Sequence, residues 1–274
     1  MMKLRDKLAL HPWTIETTPL ADALRAIKVA GWPAVELRRI DFTRCFDAGM
    51  TNDQVLDLIR GVGVPVGVLG TEYGFLFARG NELKRLLDAY EQTCVNAVAL
   101  NCFMTMVAPG QNVGTVAEAS VNLRAAGEIA KKHGVRLALE FSSRHEVINS
   151  MEVAREIVAK AGHPSVGLLL DAYHLERTGA GGRSFADLKP EEIFLFHFSD
   201  VPNTPPADNN RPIDRLPPGK GVVRWHEVWG LLKEMGYAGY SCYEAPNPAQ
   251  WSRPAAEVLR EGLELTHALL AQVE

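Results

Sequence analysis

Short apolar runs recur about eight times along the chain, and each is followed by a segment in which apolar residues recur at intervals of three and four. The runs are rich in Val, Leu, Ile and Phe and lack polar alternation, which is typical of strands buried on both faces of a parallel sheet. They are LALH (8–11), AVEL (34–37), VPVGVLG (64–70), AVAL (97–100), VRLALEF (135–141), VGLLLD (166–171), IFLFHF (193–198) and YSCYE (240–244). The fold is therefore predicted to repeat a strand followed by a helix.

Eight strand–helix units in 274 residues match the size of a (β/α)8 TIM barrel. We therefore predict an α/β fold in which residues 1–274 form a single TIM-barrel domain. A glycine often closes the helical segments, and Thr51 or Asn52, and Ser150, are predicted N-caps. The main alternative, an open doubly wound sheet, usually places a glycine-rich phosphate loop after its first strand. Here the first strand continues into HPW (11–13) instead.

The composition argues against several classes of protein. Lys and Arg number 29 against 33 Asp and Glu, and no long run has one sign, so the basic face of a nucleic-acid-binding protein is not expected. No apolar stretch approaches the roughly 18 residues of a membrane helix, and the N-terminus lacks the features of a signal peptide. The four cysteines show no CxxC spacing and are expected to pack in the core. We therefore expect a cytoplasmic protein that binds neither nucleic acid nor membrane.

One segment interrupts the repeating pattern. Residues 201–221, VPNTPPADNNRPIDRLPPGKG, are rich in Pro and Asn and show neither helical nor strand periodicity. Loops of this length inside compact domains are usually functional lids or disordered segments. Because polar and basic residues end the segment, we favour a lid over the active site.

Residues able to bind a metal end four consecutive predicted strands. In a TIM barrel the active site is built at the C-terminal ends of the strands. A charged group directly after apolar residues is costly to bury unless a partner or a metal compensates it. One such residue could be a capping or ion-paired group, but four at one barrel mouth predict a shared metal site. The four residues are Glu140, Asp171, His197 and Glu244.

The predicted ligand set consists mainly of oxygen donors. Three carboxylates and one imidazole favour Mn²⁺, Mg²⁺ or Co²⁺, with Zn²⁺ as a further option. Ligands from four strands can converge on one ion and leave positions open for substrate oxygens. Such an ion could polarise a carbonyl as a Lewis acid while it holds a neighbouring hydroxyl.

The same motifs resemble those of the sugar phosphate isomerase/epimerase superfamily, the xylose isomerase-like TIM barrels of the AP endonuclease family 2 type. The resemblance spans essentially the whole chain and is strongest over residues 135–246. It is specific for the fold and the metal, and weak for the substrate. The motifs are LEF with Glu140, DAYH with Asp171 and His174, HFSD with His197 and Asp200, RLPPGKG, and CYEAP with Glu244.

The resemblance implies a ligand set and a reaction. In that family the residues that match Glu140, Asp171, His197 and Glu244 hold one divalent metal, commonly manganese. In its epimerases the two glutamates, here Glu140 and Glu244, also serve as the acid/base pair. A metal-dependent sugar or sugar-phosphate isomerase or epimerase that acts through a metal-stabilised cis-enediolate is therefore expected. Members often form dimers or tetramers, so a homo-oligomer is one expected state.

Several further residues are candidates for binding a small sugar-like substrate. The family places the residue matching His174 near the substrate or a second metal, although a histidine capping the next helix is the alternative. Arg215 and Lys220 flank the PPG turn and could hold a hydroxyl, carboxylate or phosphate, and the family's matching arginine contacts substrate. His11 ends the first predicted strand, and Glu72 follows the third.

Other residues near the mouth support weaker expectations. Substrate binding and an internal ion pair explain Glu36 and Arg38 about equally well. Trp13 could form a wall for a sugar, or it could simply be packed. The four remaining histidines of interest fall on helical or loop segments and are interpreted as surface residues; they are His145, His163, His226 and His267.

The chain departs from the family in two places. Many members carry PGxGxxD before the seventh helix, whereas this chain has PGKG (218–221) followed by Val222, Val223 and Arg224, so one loop-anchoring carboxylate is missing. Ketose 3-epimerases typically follow the first glutamate with a segment ending in NRFE, whereas this chain reads FSSRHEVINS (141–150). The second departure weakens assignment to that subgroup.

The same residues bear on three other functions. A metal-dependent dehydratase of a cyclic keto-polyol, similar to inosose or dehydroshikimate dehydratases, would use the same residues, and a sugar- or metal-binding barrel without turnover would as well. Endonuclease IV-type enzymes need three zinc ions and a histidine directly after an Asp-Arg pair. Here Asp214-Arg215 is followed by Leu216, and the acidic balance lacks a footprint for duplex DNA, so nuclease activity is not expected.

Overall fold

Eight parallel strands close into a barrel in chain order, from β1 to β8 and back to β1. This is a computed structural model, and it describes residues 3–206 and 211–273. The predicted TIM barrel is therefore confirmed. The strands are β1 Leu8–Leu10, β2 Ala34–Leu37, β3 Val66–Gly70, β4 Met104–Val107, β5 Arg136–Glu140, β6 Val166–Asp171, β7 Ile193–Phe198 and β8 Tyr240–Tyr243.

Helices surround the strands and follow the predicted amphipathic segments. Thr51 and Ser150 cap two of them, because their side-chain oxygens accept hydrogen bonds from the backbone N–H of Gln54 and Val153. Asn52 is the first helical residue after its cap. The α-helices are α1 Leu20–Ala30, α2 Arg39–Asp47, α3 Asn52–Val62, α4 Gly80–Ala99, α5 Val116–Lys132, α6 Met151–Ala161, α7 Ala172–Arg177, α8 Trp225–Met235, α9 Pro248–Trp251 and α10 Ala255–Leu270.

The fourth strand was predicted at the wrong place. The run AVAL (97–100) forms the end and C-cap of α4, and the strand follows at Met104–Val107. Helical spacing explains the difference, because Leu86, Tyr90 and Cys94 recur every four residues on the buried side of α4. AVAL continues that pattern with a buried Ala97 and is as compatible with a helix as with a strand.

The interior of the barrel is filled by side chains of alternating size. Small residues on several strands leave space for larger ones on their neighbours, as is usual for a packed barrel interior. Gly167 of β6 shows this most clearly, since a Cβ there would lie 2.4 Å from Cδ1 of Phe194 on β7. The Phe194 ring is covered in turn by the guanidinium of Arg136, whose Cζ lies 4.7 Å from the ring centroid.

The segment predicted as a lid is anchored by a buried carboxylate. Asp200 accepts hydrogen bonds from the backbone N–H of Val201, Gly219 and Val223 at 2.8–2.9 Å, and from the indole N–H of Trp225 at 2.9 Å. Asp200 thus anchors the segment even though the PGxGxxD carboxylate is missing. Residues 207–210 of the predicted lid lie outside the described residues.

No helix within residues 3–206 and 211–273 has both the length and the apolar character needed to cross a membrane.

The close contact between Gly167 and Phe194 predicts that Gly167→Ala destabilises the barrel. The added methyl group forces Phe194 out of its position, and such overpacking costs about 1–3 kcal/mol in the free energy of unfolding. Gly230→Ala in α8 is the control, because a Cβ there meets no atom within 4 Å and alanine favours the helix by up to about 1 kcal/mol. Urea unfolding followed by circular dichroism measures both, and equal stability of the two variants would contradict the prediction.

Candidate metal centre and cavity

Four side chains from neighbouring strands meet at one end of the barrel. Glu140 and Asp171 are the last residues of β5 and β6, His197 lies next to the end of β7, and Glu244 directly follows β8. Each offers one ligand atom, and these atoms lie within 4.8 Å of one another. All four residues are buried. The parallel strands therefore bring together the four residues that the sequence predicts as metal ligands.

The ring of His197 has one nitrogen with a partner and one without. Nε2 lies 2.8 Å from Oε2 of Glu36. Nδ1 is buried without a hydrogen-bond partner and lies 3.5 Å from Oε2 of Glu244 and 3.9 Å from Oε1 of Glu140. A metal-binding histidine usually donates its other N–H to a carboxylate, as here. The free Nδ1 among carboxylate oxygens therefore fits a divalent cation.

Glu36 belongs to this centre, and Arg38 does not. Glu36 is fully buried on β2, and its second oxygen, Oε1, has no hydrogen-bond partner. Arg38 instead makes ion pairs with Asp41 and Glu16 at the cavity wall. The two residues therefore do not pair with each other, and Glu36 orients a predicted ligand.

Arg215 supplies positive charge next to the carboxylates. Its Nη1 lies 2.7 Å from Oδ2 of Asp171 and 3.0 Å from Oε2 of Glu244. The guanidinium also lies over the ring of Tyr173, with 4.4 Å between Cζ and the ring centroid. Only 1% of Arg215 is exposed. A buried guanidinium between two carboxylates lowers the cost of bringing their charges together.

The two glutamates of the centre differ in their surroundings. Burial raises the pKa of Glu140 well above its usual range. Burial acts in the same direction on Glu244, but the charge of Arg215, together with the neighbouring imidazoles of His11 and His197, outweighs it and holds the pKa of Glu244 well below its usual range. One carboxylate can therefore keep a proton under conditions in which the other is ionised.

Two further predicted residues border the same centre. His11 directs Nε2 towards Oε1 of Glu244 at 3.4 Å, while its Nδ1 accepts a hydrogen bond from the N–H of Trp13. His174 directs Nε2 towards Asp171, and burial lowers its pKa to about 4. His174 is not a helix cap, because Asp171 caps α7.

A cavity of about 780 Å³ opens onto this centre. Its wall includes four of the predicted substrate-binding residues, His11, Glu72, His174 and Arg215, together with Glu140 and Glu244. Glu72 is also paired with Arg85 at 2.8 Å. Lys220 does not line the cavity and is exposed on its turn, so the structure gives no support for its predicted role.

The prediction that four histidines lie at the surface is half wrong. His226 and His267 are exposed, but His145 and His163 are only 6% and 7% exposed. His145 stacks on Phe77 and lines the cavity. Hydrogen bonds within the turn hold His145 in this buried position, because its Nδ1 accepts from the two backbone N–H groups at positions 147 and 148. This short-range contact is the signal that the interpretation as a surface residue missed.

Three of the four cysteines are buried, as predicted, and Cys45 is partly buried. Cys242 has a role in the site that the sequence did not reveal. It lies on β8 beside Glu36 and His197, and one ligand atom from each of the three lies within 4.8 Å of the others. Burial raises the pKa of the Cys242 thiol well above its usual value. The Cys242 thiol is therefore a neutral group beside His197.

This chain is similar to a known protein family, to characterised enzymes and to solved structures. A family model described as a xylose isomerase-like TIM barrel matches residues 24–268. An inosose isomerase from Halalkalibacterium halodurans is 24% identical over 260 residues, which cover 92% of each chain. A 3-dehydroshikimate dehydratase from Pseudomonas putida is 24% identical over 249 residues, covering 89% of this chain and 39% of that protein. The solved structure of the IOLI protein with a bound zinc atom shares the fold, with a TM-score of 0.85 and 22% identity over 98% of this chain and 99% of that one.

The hydrogen bond between Glu36 and His197 predicts that Glu36→Gln weakens metal binding. Loss of the carboxylate that orients a ligand histidine typically lowers metal affinity about 10- to 100-fold. Glu91→Gln is a matched control, because Glu91 lies 3.2 Å from Nε2 of His133 at the surface. Competition with a chelating dye measures both affinities for Mn²⁺ and Zn²⁺. An affinity of Glu36→Gln within twofold of the unmodified protein would show that Glu36 does not act through His197.

Proposed function

This chain belongs to the xylose isomerase-like TIM barrel family, and on that premise we propose that it is a divalent-metal-dependent isomerase or epimerase of a sugar or sugar-like carbonyl compound. One observation carries the proposal: four buried side chains converge at one end of the barrel, and Nδ1 of His197 lies among their carboxylate oxygens without a hydrogen-bond partner. The four residues are Glu140, Asp171, His197 and Glu244. The inosose isomerase relative, aligned over nearly its whole length, supports an enzyme that acts on a small polyhydroxylated substrate.

The donor set narrows the choice of metal. Three carboxylates and one imidazole suit Mn²⁺, Mg²⁺, Co²⁺ and Zn²⁺. Mn²⁺ is our first choice on the donor chemistry, and the zinc atom in the structurally similar IOLI protein makes Zn²⁺ the second ion to test. When bound, such a cation supplies Lewis-acid polarisation of a substrate carbonyl.

The side chains of the centre supply proton transfer. Glu140 and Glu244 both line the cavity and end strands that are separated by two others, so they can approach a substrate from different directions. One carboxylate removes the proton on the carbon next to the carbonyl, and the other returns a proton. Return to the same carbon from the opposite face gives an epimer, and return to the neighbouring carbon gives an isomer.

Arg215 and the two histidines hold this arrangement in place. Arg215 keeps Glu244 ionised and positioned through its 3.0 Å ion pair. His11 faces the other oxygen of Glu244, and its pKa is lowered by burial, so it can act as a neutral hydrogen-bond donor. His174 is neutral for the same reason and is held by Ser143.

Dehydration is a second candidate, favoured by one specific observation. The 3-dehydroshikimate dehydratase relative aligns with 89% of this chain. Removal of the same proton followed by loss of a β-hydroxyl gives a conjugated carbonyl instead of an isomer. The residues required are the same, so the product decides between the two reactions. Ultraviolet absorption of the conjugated carbonyl identifies dehydration.

The proposal predicts that Glu140→Gln and Glu244→Gln stop exchange of the substrate proton with deuterated water. Removal of a general acid or base costs about 10²- to 10⁴-fold in rate. The metal-reconstituted protein is incubated with inosose, 3-dehydroshikimate or D-fructose, and exchange is followed by NMR. Glu234→Gln, which alters only a surface ion pair with Arg183, is the control.

Metal content is measured on the same samples, so that loss of exchange is separated from loss of the ion. Full exchange by both glutamine variants would refute the acid/base assignment. Metal binding without exchange or dehydration in a wider panel of keto-sugars and keto-acids would indicate a binding protein instead of an enzyme.

A further inference from the structure

The cavity wall is unusually rich in arginine. The five arginines that line it are Arg38, Arg39, Arg144, Arg211 and Arg215. Two of them are neutralised within the protein, because Arg38 pairs with Asp41 and Glu16, and Arg215 pairs with Asp171 and Glu244. The proposed function so far gives no role to the others.

Arg144 stands out among these residues. Within residues 3–206 and 211–273, its guanidinium makes no ion pair, and its Nη2 is buried without a hydrogen-bond partner. A buried, unpaired N–H of a charged group costs more than that of a neutral one, so such groups in folded proteins almost always have a partner. An unpaired guanidinium facing a substrate cavity indicates that its partner is a ligand.

The backbone around Arg144 is held firmly. Ser142 and His145 fix the turn, because the N–H of Ser142 donates to the carbonyl of Ile148, and the N–H of His145 donates to the carbonyl of Ser142. The Nε2 of His145 lies 2.8 Å from the carbonyl oxygen of Gln111 on the neighbouring loop. A site held in this way loses little conformational entropy when a ligand binds.

The charges of the cavity leave Arg144 uncompensated. A divalent cation held by Glu140, Asp171, His197 and Glu244 would, together with Arg215, balance the three carboxylates of that set. The other two carboxylates of the wall are engaged elsewhere, Glu16 with Arg38 and Arg44, and Glu72 with Arg85. No carboxylate of the described wall is therefore left to neutralise Arg144.

We propose that the substrate is an anion, and that Arg144 binds its carboxylate or phosphate group while its carbonyl end faces Glu140 and Glu244. This inference rests on the proposed function for the orientation of the substrate. A guanidinium presents a planar pair of N–H donors that matches the oxygens of either anion. Arg144 follows Glu140 by four residues, so their Cα atoms lie at most about 14 Å apart. Both residues line the same cavity, so one substrate can contact both.

The first test compares three ketoses that differ in one terminal group. D-fructose, D-fructuronate and D-fructose 6-phosphate end in a neutral, a carboxylate and a phosphate group. Their dissociation constants are measured by calorimetry with the metal-loaded protein. Charge-assisted hydrogen bonds of this kind change affinity on the order of tenfold to a hundredfold. At least one anionic ketose is therefore expected to bind at least about tenfold more tightly than D-fructose.

Substitutions at Arg144 then test whether this residue causes the preference for an anionic ketose. In Arg144→Gln the anionic ketose and D-fructose are expected to bind within about twofold of each other. Arg144→Lys, which keeps the charge but not the paired donors, is expected to retain part of the preference. Arg183→Gln makes the same change in net charge at a surface ion pair with Glu234, and it is expected to keep all of it. A preference that survives in Arg144→Gln would overturn the proposal.

A second measurement requires no sugar. Inorganic phosphate and acetate are added to the metal-loaded protein, and the shift in thermal unfolding midpoint is recorded for the same variants. A shift that disappears in Arg144→Gln and persists in Arg183→Gln supports the anion site even if no ketose binds, in which case the proposed function fails alone. If neither the ketose affinities nor the unfolding midpoints depend on Arg144, the anion site is overturned, whatever the proton-exchange experiment shows.

Discussion

Three carboxylates buried within a few ångströms of each other need positive charge nearby, and this constraint organises one whole end of the barrel. Glu140, Asp171 and Glu244 would repel one another strongly in a medium of low dielectric constant. The chain supplies Arg215, which touches two of the three. Glu140 makes no such ion pair, and burial together with the charges of Glu244 and Asp171 raises its pKa. The missing positive charge is what a divalent cation at the free nitrogen of His197 would provide.

The strands and the loops contribute differently to this arrangement. The strand register sets Asp171 opposite His197, and His197 opposite Cys242, so the positions of the ligands follow from backbone pairing in the barrel. The compensating and orienting groups come from elsewhere. Glu36 reaches His197 from β2, and Arg215 reaches Asp171 from the loop that follows β7. The scaffold thus fixes the predicted ligands, and groups distant in sequence compensate their charge.

This division explains how much the sequence could predict. The barrel and the meeting of the four predicted ligands were predictable, because each of these residues ends an apolar run and parallel strands of a barrel end at a common mouth. The contact between Glu36 and His197 was not, because it joins residues 161 positions apart and depends on barrel closure. The sequence does not single out Arg144 for a related reason, since only the three-dimensional structure shows that it lines a cavity and that its Nη2 lacks a hydrogen-bond partner. The strand misplaced at AVAL shows that short alanine-rich runs fit a helix end equally well.

The loop that bears Arg215 cannot be an independent lid. Asp200 binds the backbone N–H groups of Val201, at the start of the loop, and of Gly219, near its end. Asp214 accepts hydrogen bonds from the hydroxyl of Tyr173 and the guanidinium of Arg177, both at 2.6 Å. Moving this end of the loop would withdraw Arg215 and leave two buried carboxylates without their cation, which is strongly unfavourable. Any opening of the cavity must therefore leave Asp214 and Arg215 in place. The end of the loop that bears this charge is thus a fixed part of the cavity wall beside the buried carboxylates.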